Sequence, residues 1–290
     1  MAIPLSYNVR NVRVRWQVTL LAIVGIALVV AVFAVLMSMS EGFKAALRST
    51  GRPDNAIVVQ RGSSSEMTSG VPLADRNMIM VDERVARDAN GQPLASWEQV
   101  VVIGLPRISD GQPANVTLRA VTQRAFEVRG GIKVVEGRSF TPGLDEVIVG
   151  RKLTKRIAGL AIGGNVKYQQ KLFKIVGLFE SEGAAFESEI WGDFDTFSAI
   201  FQRGGGSNSL VLRMKDPATI PELDRFVRAQ PQMQLQALSE RKYYEEQAGQ
   251  LSRALSALAN FVAVVMGLVG GLLPAVRAAR LPITSALRET

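Results

Sequence analysis

The sequence predicts a membrane protein in which two transmembrane α-helices flank an α+β extracytoplasmic domain. Three observations carry that prediction. Two long uncharged apolar stretches lie towards the ends of the 290-residue chain, arginines with almost no matching acids stand outside them, and short β-branched runs broken by Gly, Pro and Asp fill the middle.

The first stretch, Trp16 to Ser40, is 25 residues without a charge, and Val18 to Met37 is almost wholly Leu, Ile, Val, Ala, Phe and Met. A helix needs about 20 apolar residues to cross about 30 Å of hydrocarbon, so residues 18–40 read as a first span. A cleaved signal peptide fits less well. Its apolar region runs about 7–15 residues to a small-x-small site, whereas this one is longer and leads into Met37-Ser38-Met39-Ser40-Glu41. The second stretch, Ala254 to Val276 between Arg253 and Arg277, is 23 residues rich in Leu, Val and Ala, and it reads as a second span. It also carries Ser256, Asn260, Gly267, Gly270, Gly271 and Pro274. Its small residues Ala259, Ala263, Gly267, Gly271 and Ala275 recur at every fourth position. Such a stripe lets two helix backbones approach closely in a solvent that offers no hydrophobic drive, and it is the predicted helix-packing face.

Arg10, Arg13 and Arg15 precede the first span with no acid, and Arg277, Arg280 and Arg288 follow the second with only Glu289. Between them stand 28 bases and 25 acids, so most of the formal charge of +8 lies at the two ends. Basic residues flanking a span stay in the cytoplasm, which makes Arg10, Arg13, Arg15, Arg277 and Arg280 the topology-determining residues. Residues 1–17 and 277–290 are expected inside and 41–253 outside. The basic balance therefore reads as topology, and nucleic-acid binding is not expected.

The chain has no His and no Cys. That excludes zinc fingers, thiol catalysis, imidazole proton shuttles, His- or Cys-ligated haem and disulfides. Gly159 to Gly164 is the nearest approach to a phosphate-binding loop, and it lacks the Lys and Ser/Thr that must follow, so the chain is not expected to be its own NTPase. Six acids, Glu180, Glu182, Glu187, Glu189, Asp193 and Asp195, lie between Ile175 and Gln202 without a base. Their spacing matches no calcium loop, and they read as a solvated acidic edge. Ser63 to Ser65 beside Glu66 has neither a His nor a Ser-x-x-Lys partner and reads as a flexible loop. No catalytic, cofactor-binding or metal-binding residue is expected; a membrane-anchored hydrolase would have to rest on Glu189 or Asp193.

Within the middle, Glu41 to Arg48 continues the helical pattern as a stalk and stops at Gly51-Arg52-Pro53. Strands are expected at Ala56 to Gln60, Val100 to Ile103, Asn115 to Val121 and Lys133 to Glu136, with a loop over Gly62 to Gly70. Thr122 is placed to cap a short helix through Val128 that ends at Gly130-Gly131. A strand Glu146 to Val149, a basic helix Arg151 to about Ala158 and a hairpin of Asn165 to Gln169 with Leu172 to Phe179 follow. Then come a helix near Phe194 to Phe201, a glycine loop Gly204 to Gly206, a strand Ser209 to Met214 and a helix Ile220 to Ala229. Short mixed elements without a repeat give α+β. Arg241 to Arg253 forms a polar helix that feeds the second span without a break, with Tyr243 and Tyr244 either near the membrane interface or in ordinary packing.

Several motifs in this order resemble the permease subunits of ABC transporters of the MacB/FtsX type. They are Pro4-Leu5-Ser6-Tyr7-Asn8-Val9-Arg10-Asn11, Glu136-Gly137-Arg138-Ser139-Phe140, Asp145-Glu146-Val147-Ile148-Val149-Gly150, Gly163 with Val166, Phe173-Lys174-Ile175-Val176-Gly177, Glu189-Ile190-Trp191, and Leu273 to Ile283 with Ala286-Leu287-Arg288. The resemblance covers nearly the whole chain. It implies a MacB-like core domain on the outer side of a bacterial inner membrane, a homodimer or heterodimer of permeases in membrane lipid, and a separate cytoplasmic ABC ATPase subunit that binds the ATP. It further implies stalks at Glu41 to Arg48 and Arg241 to Arg253 that relay ATP-driven motion outward, for export, efflux or lipoprotein-type release. One departure is large: the family usually has four spans. Here what resembles the start of the second, Phe261 to Leu268, runs directly into what resembles the end of the fourth, Val269 to Val276. The two middle spans and the cytoplasmic loop that docks on the ATPase are thus expected to be missing, and the alternative is a two-span anchored adaptor that binds an outer partner without ATP coupling.

Overall fold

A computed structural model describes residues 13–14, 16–48, 50–201 and 205–279. The chain divides into two compact units, one of residues 1–44 with 249–290 and one of residues 45–248.

The first unit is helical. Helix α1 (Trp16–Arg48) carries the first apolar stretch, and helix α7 (Glu240–Ala279) carries the second in one unbroken run of 40 residues. Both are long and apolar enough to cross a membrane by length and composition: 18-residue windows within Ile23–Gly42 and Glu240–Leu268 reach a mean hydropathy of 2.6 and 1.6. Their large side chains are mostly not buried: Leu20, Ile23, Val24, Ile26, Val30, Val35, Phe261, Val264 and Leu268 all lie exposed. Within this unit the Ser40 and Ser252 hydroxyls form a hydrogen bond of 2.7 Å.

The second unit is α+β, built on a ten-stranded mixed sheet. Its strands are β1 (Asn55–Gln60), β2 (Ala95–Pro106), β3 (Pro113–Val121), β4 (Lys133–Gly137), β5 (Glu146–Gly150), β6 (Asn165–Tyr168), β7 (Lys171–Glu180), β8 (Glu189–Asp193), β9 (Ser209–Arg213) and β10 (Leu235–Ser239). They run in the order β10-β1-β9-β2-β3-β8-β5-β7-β4, and β6 pairs with β7. The pairs β3/β8 and β5/β7 are parallel and the others antiparallel. Helices α2 (Leu73–Met80), α3 (Ala125–Arg129), α4 (Arg151–Thr154), α5 (Phe194–Phe201) and α6 (Ile220–Ala229) complete the unit.

Side chains alternate across a strand with period two, and both faces of this sheet are covered. Ala56 and Val58 of β1 and Leu210 and Leu212 of β9 join Ile79 of α2 and Leu223 and Val227 of α6 in one core. Ile57, Val59 and Val211 point the other way, into a core with Phe179, Phe186, Trp191, Tyr243 and Tyr244. A third core forms around Leu118, Val147, Val149, Phe173, Ile190 and Phe197, the last two aromatic rings stacked at 4.2 Å.

Several expected elements form at their predicted positions, and several differ for identifiable reasons. Thr122 does not cap α3: its hydroxyl bonds Ser96 Oγ at 3.2 Å, and Arg124 occupies the N-cap. Helix α4 is a single turn rather than the predicted run to Ala158, because Ile157 and Ala158 instead pair with the β2–β3 hairpin through Arg107 and Pro106. Strand β2 is 12 residues against the four expected, since β3 and β9 supply its partners along most of its length. Helix α2 and strands β8 and β10 were not expected. Tyr243 and Tyr244 sit in ordinary packing, both buried.

Candidate functional site

The site begins with register. Arg119 of β3 lies opposite Val100 of β2 on one side and Trp191 of β8 on the other. Residues two apart on a strand share a face, and diagonal neighbours across a pair approach within reach of long side chains. Glu98 of β2, Arg119 of β3 and Glu189 of β8 therefore project from the same face. So do Ser209 of β9, which pairs with Glu98, and Asn55 of β1, which pairs with Arg213. An open sheet would leave these groups to water. Here three further pieces close over them: the 3-10 turn Glu66–Thr68, the C-terminal end of α3 with Arg129, and the first turn of α7 with Glu240 and Tyr244.

The result is a buried chain of charges. Arg119 donates from Nε and Nη2 to Glu189 at 2.8 and 3.1 Å, from Nη1 and Nη2 to Glu66 at 3.0 and 3.2 Å, and from Nη1 to Glu98 at 2.8 Å. Arg129 holds Glu98 with Nε and Nη2 at 2.9 and 2.6 Å, and its Nη1 donates to Glu240 Oε1. Glu66 also accepts from the Ser209 and Tyr244 hydroxyls, and Glu189 from the Trp191 indole. The ring of Phe186 lies beneath both guanidiniums, 4.5 Å from Arg129 and 5.4 Å from Arg119. Glu98 and Glu240 are each at most 1 % exposed.

The protonation energetics separate Glu66 from Glu240. Burial pushes the Glu66 carboxyl up, but the Arg119 guanidinium, with Arg129 and the Ser209 hydroxyl, outweighs it and holds the group down at about 2. Glu240 goes the other way. Burial raises it, and its guanidinium partner is already shared two-pronged with Glu98. Burial pulls both arginines down, yet the carboxylates around them keep Arg119 and Arg129 charged well above the ordinary guanidinium range. Four carboxylates and two guanidiniums thus share one interior. A buried ion network seldom adds net stability over apolar packing, but losing one member costs about 3–5 kcal/mol because it strands a charge. Its chemical capacity is to hold parts in register and to bind or release protons.

This arrangement overturns the solvated-edge reading for three of the six acids from Glu180 to Asp195, whereas Glu182 and Asp195 are exposed as expected and Glu180 is partly exposed. Glu187, Glu189 and Asp193 are buried. Bases from elsewhere in the chain reach the first two: Lys152 pairs with Glu187 and Arg119 with Glu189. Asp193 accepts from the Gly143 amide and from Thr196 N and Oγ1, which starts α5. Glu189 and Asp193 are engaged in these structural contacts. Among the described residues searched, no group of three or more acids is arranged to hold a metal ion.

The predicted helix-packing stripe lies along α7. Ala259 is buried, Ala263 is partly buried, and Gly267 is exposed with nothing within 4 Å of where a Cβ would stand. Gly271, Ala275 and Arg277 are on the same helix. Arg13 is helical and exposed, whereas Arg10, Arg15 and Arg280 lie outside the described residues. The join between Leu268 and Val269 falls inside the continuous helix. Sequence reasoning missed Glu66, Glu98, Arg119, Arg129 and Glu240. The signal for three of them was present: Glu98, Arg119 and Arg129 are charges at inward positions of otherwise apolar runs.

The family model of the MacB-like periplasmic core domain matches residues 19–230. The chain is similar to the periplasmic region of MacB from Actinobacillus actinomycetemcomitans, at 11% identity and TM-score 0.48, over 71% of this chain and 94% of that one. It is also similar to the extracellular domain of the noncanonic ABC-type transporter YknZ from Gram-positive bacteria, at 14% identity and TM-score 0.46, over 63% and 99% of the two chains. No curated protein matches the chain in sequence.

Proposed function

Because the chain belongs to the family of the MacB-like periplasmic core domain, within the MacB/FtsX-type ABC-transporter permeases, we propose that it is a membrane-spanning permease subunit that works with a separate ATPase. The observation that carries this reading is the family match over residues 19–230, which enters the apolar part of α1 and covers nearly all of the sheet. In this reading α1 and α7 cross the cytoplasmic membrane. Contiguous exposed apolar surface of that length is unfavourable in water and favourable in lipid, and the arginines outside the two spans put both chain ends in the cytoplasm. The α+β unit then stands outside the membrane. It is no enzyme and binds no cofactor of its own; ATP is bound by the partner, and the stalk segments relay its motion for export, efflux or lipoprotein-type release.

Two measurements test this. The chain has no cysteine, so Ala2→Cys and Ser64→Cys each report one position. An impermeant maleimide added to intact cells is expected to label Ser64→Cys and not Ala2→Cys, and the reverse pattern would remove the topology. Affinity purification from native membranes is expected to recover an ABC ATPase in near-stoichiometric amount. Recovery of an outer partner with no ATPase would favour the two-span adaptor.

A further inference from the structure

Between Val147 and Phe179 the chain carries seven bases and no acid. Three of the bases are neutralised from outside the run: Arg151 by Glu136 and Glu180, Lys152 by Glu187 and Lys171 by Asp145. Lys155, Arg156, Lys167 and Lys174 pair with no acid among the described residues. Strand alternation divides these four. Val166 of β6 and Phe173 of β7 pair and are both buried in the third core, so Lys167 and Lys174 stand on the opposite face. Lys155 and Arg156 follow α4, and both are exposed.

Lys155 and Arg156 lie in sequence between Thr154 and Ile157, two residues that line an open groove of about 500 Å³. The floor of the groove is apolar and buried, since Ile157, Leu160 and Leu178 belong to the third core. Its lips are apolar and exposed, Ile108 at 58 % and Ile162 at 45 %. A single exposed isoleucine is ordinary, whereas two of them beside a continuous apolar floor mark a binding surface. The carboxylate in its wall, Glu136 of β4, is held by Arg151 Nη2. The groove therefore offers apolar surface and free positive charge together.

The groove is formed before any partner arrives. The Ile108 N–H donates to Arg156 O and the Ala158 N–H to Pro106 O, each at 2.9 Å, which ties the end of the β2–β3 hairpin to the segment after α4. On the other side the Gly163 N–H donates to Ile175 O and the Ile175 N–H to Gly164 O, again at 2.9 Å each, which fixes the turn bearing Ile162 against β7. A preformed apolar surface avoids the ordering cost that weakens flexible binders.

We propose that this groove docks a segment of another protein whose apolar centre is flanked by Asp and Glu: the apolar side chains cover Ile108, Leu160 and Ile162, and the acids meet Lys155 and Arg156. The charge decides the flanks, because opposite potentials across an interface steer encounter and select partners. The same charge disfavours a second copy of this chain, since an isologous contact at the groove would set one basic rim against the other. The apolar floor disfavours nucleic acid, because no aromatic ring stands among the described lining residues for a base to stack on. The open shape disfavours a small apolar ligand, whose sites bury most of its surface. Docking here is independent of the ATPase and of the side of a membrane on which the α+β unit stands, so its failure and that of the permease assignment are distinguishable.

The test titrates the full chain in zwitterionic lipid nanodiscs with two fluorescein-labelled peptides that share a Leu-Ile core, one flanked by Asp and Glu and the other by Lys and Arg. Fluorescence anisotropy is expected to show the acidic peptide binding at least about tenfold more tightly, with the margin shrinking as salt is added. Lys155→Glu with Arg156→Glu is expected to reverse the preference, and Lys167→Glu with Lys174→Glu, on the opposite face, to leave it in place. Ile162→Ser should weaken the acidic peptide several-fold, whereas Leu172→Ser, also exposed but outside the groove, should not. All these positions are exposed, so the variants are expected to fold. Equal binding of the two peptides, a preference that survives the change at Lys155 and Arg156, or an equal loss from the opposite face overturns the proposal. In cells, p-benzoylphenylalanine in place of Ile162 is expected on irradiation to crosslink to a protein segment that mass spectrometry places beside acidic residues. Adducts to lipid alone, or to a second copy of this chain alone, overturn the choice of occupant.

Discussion

Arg119 reaches three carboxylates from three different parts of the chain: Glu66, Glu98 and Glu189. Its planar fork allows this, and a lysine ammonium could not reproduce it. Arg119→Met leaves those acids without their main counter-charge, and the expected loss is about 3–5 kcal/mol in equilibrium unfolding of the α+β unit. Arg119→Lys should recover only part of it, and full recovery would show that charge alone matters. The same network contributes to stability in acid. Glu66 is held at about 2 against an ordinary 4.5, so its contribution is present above pH 4.5 and lost as pH falls towards 2. Glu66→Gln is expected to lose less stability than the parent between pH 4.5 and 2, with Glu146, held at about 2 by Arg138, keeping its own share of the dependence. A pH-stability profile recorded over that range by circular dichroism checks the difference.

At the scale of elements, the close passage of the Gly51 segment against α7 sets a demand that no side chain meets. Gly51→Ala places its methyl 2.7 Å from backbone atoms of Glu240 and Arg241, and forcing that contact apart costs about 1–3 kcal/mol. The unfolding midpoint should drop accordingly. Gly249→Ala is the control, since nothing lies within 4 Å of its Cβ in the helix; a midpoint equal to or above the parent is expected there from helix propensity. The elements that sequence reasoning missed carry weak local signals. Helix α2 buries Arg76 and Ile79 while Leu73 and Met78 lie exposed, so it shows no apolar face in its periodicity. Strands β8 and β10 are short and take their order from neighbours distant in sequence, β8 from Arg119 and β5 and β10 from β1.

At the scale of the molecule, association is the open property that sequence addresses directly. The exposed Gly267, with Gly271 one turn on, continues the small-residue stripe beyond the buried Ala259. Gly267→Leu with Gly271→Leu is expected to weaken self-association by about 1–2 kcal/mol, read as a several-fold fall in crosslinked dimer in native membranes. Unchanged crosslinking would remove the stripe as an interface.

By itself the sequence determined the two long apolar helices, the asymmetry of charge around them, the α+β character of the middle and the family. Each of these is written in local composition or in period, which a chain carries before it folds. Tertiary structure alone decided the site. Glu66, Glu98, Arg119, Glu189 and Glu240 are spread over most of the middle of the chain, and although Glu98 and Arg119 stand at inward positions of apolar runs, nothing local says which partners they meet. Only the sheet order β9-β2-β3-β8 and the return of α7 to β1 bring them onto one covered face. Once water is excluded there, the same charges become a network, because the free energy of a charge depends on its partners and its burial and not on its neighbours in sequence.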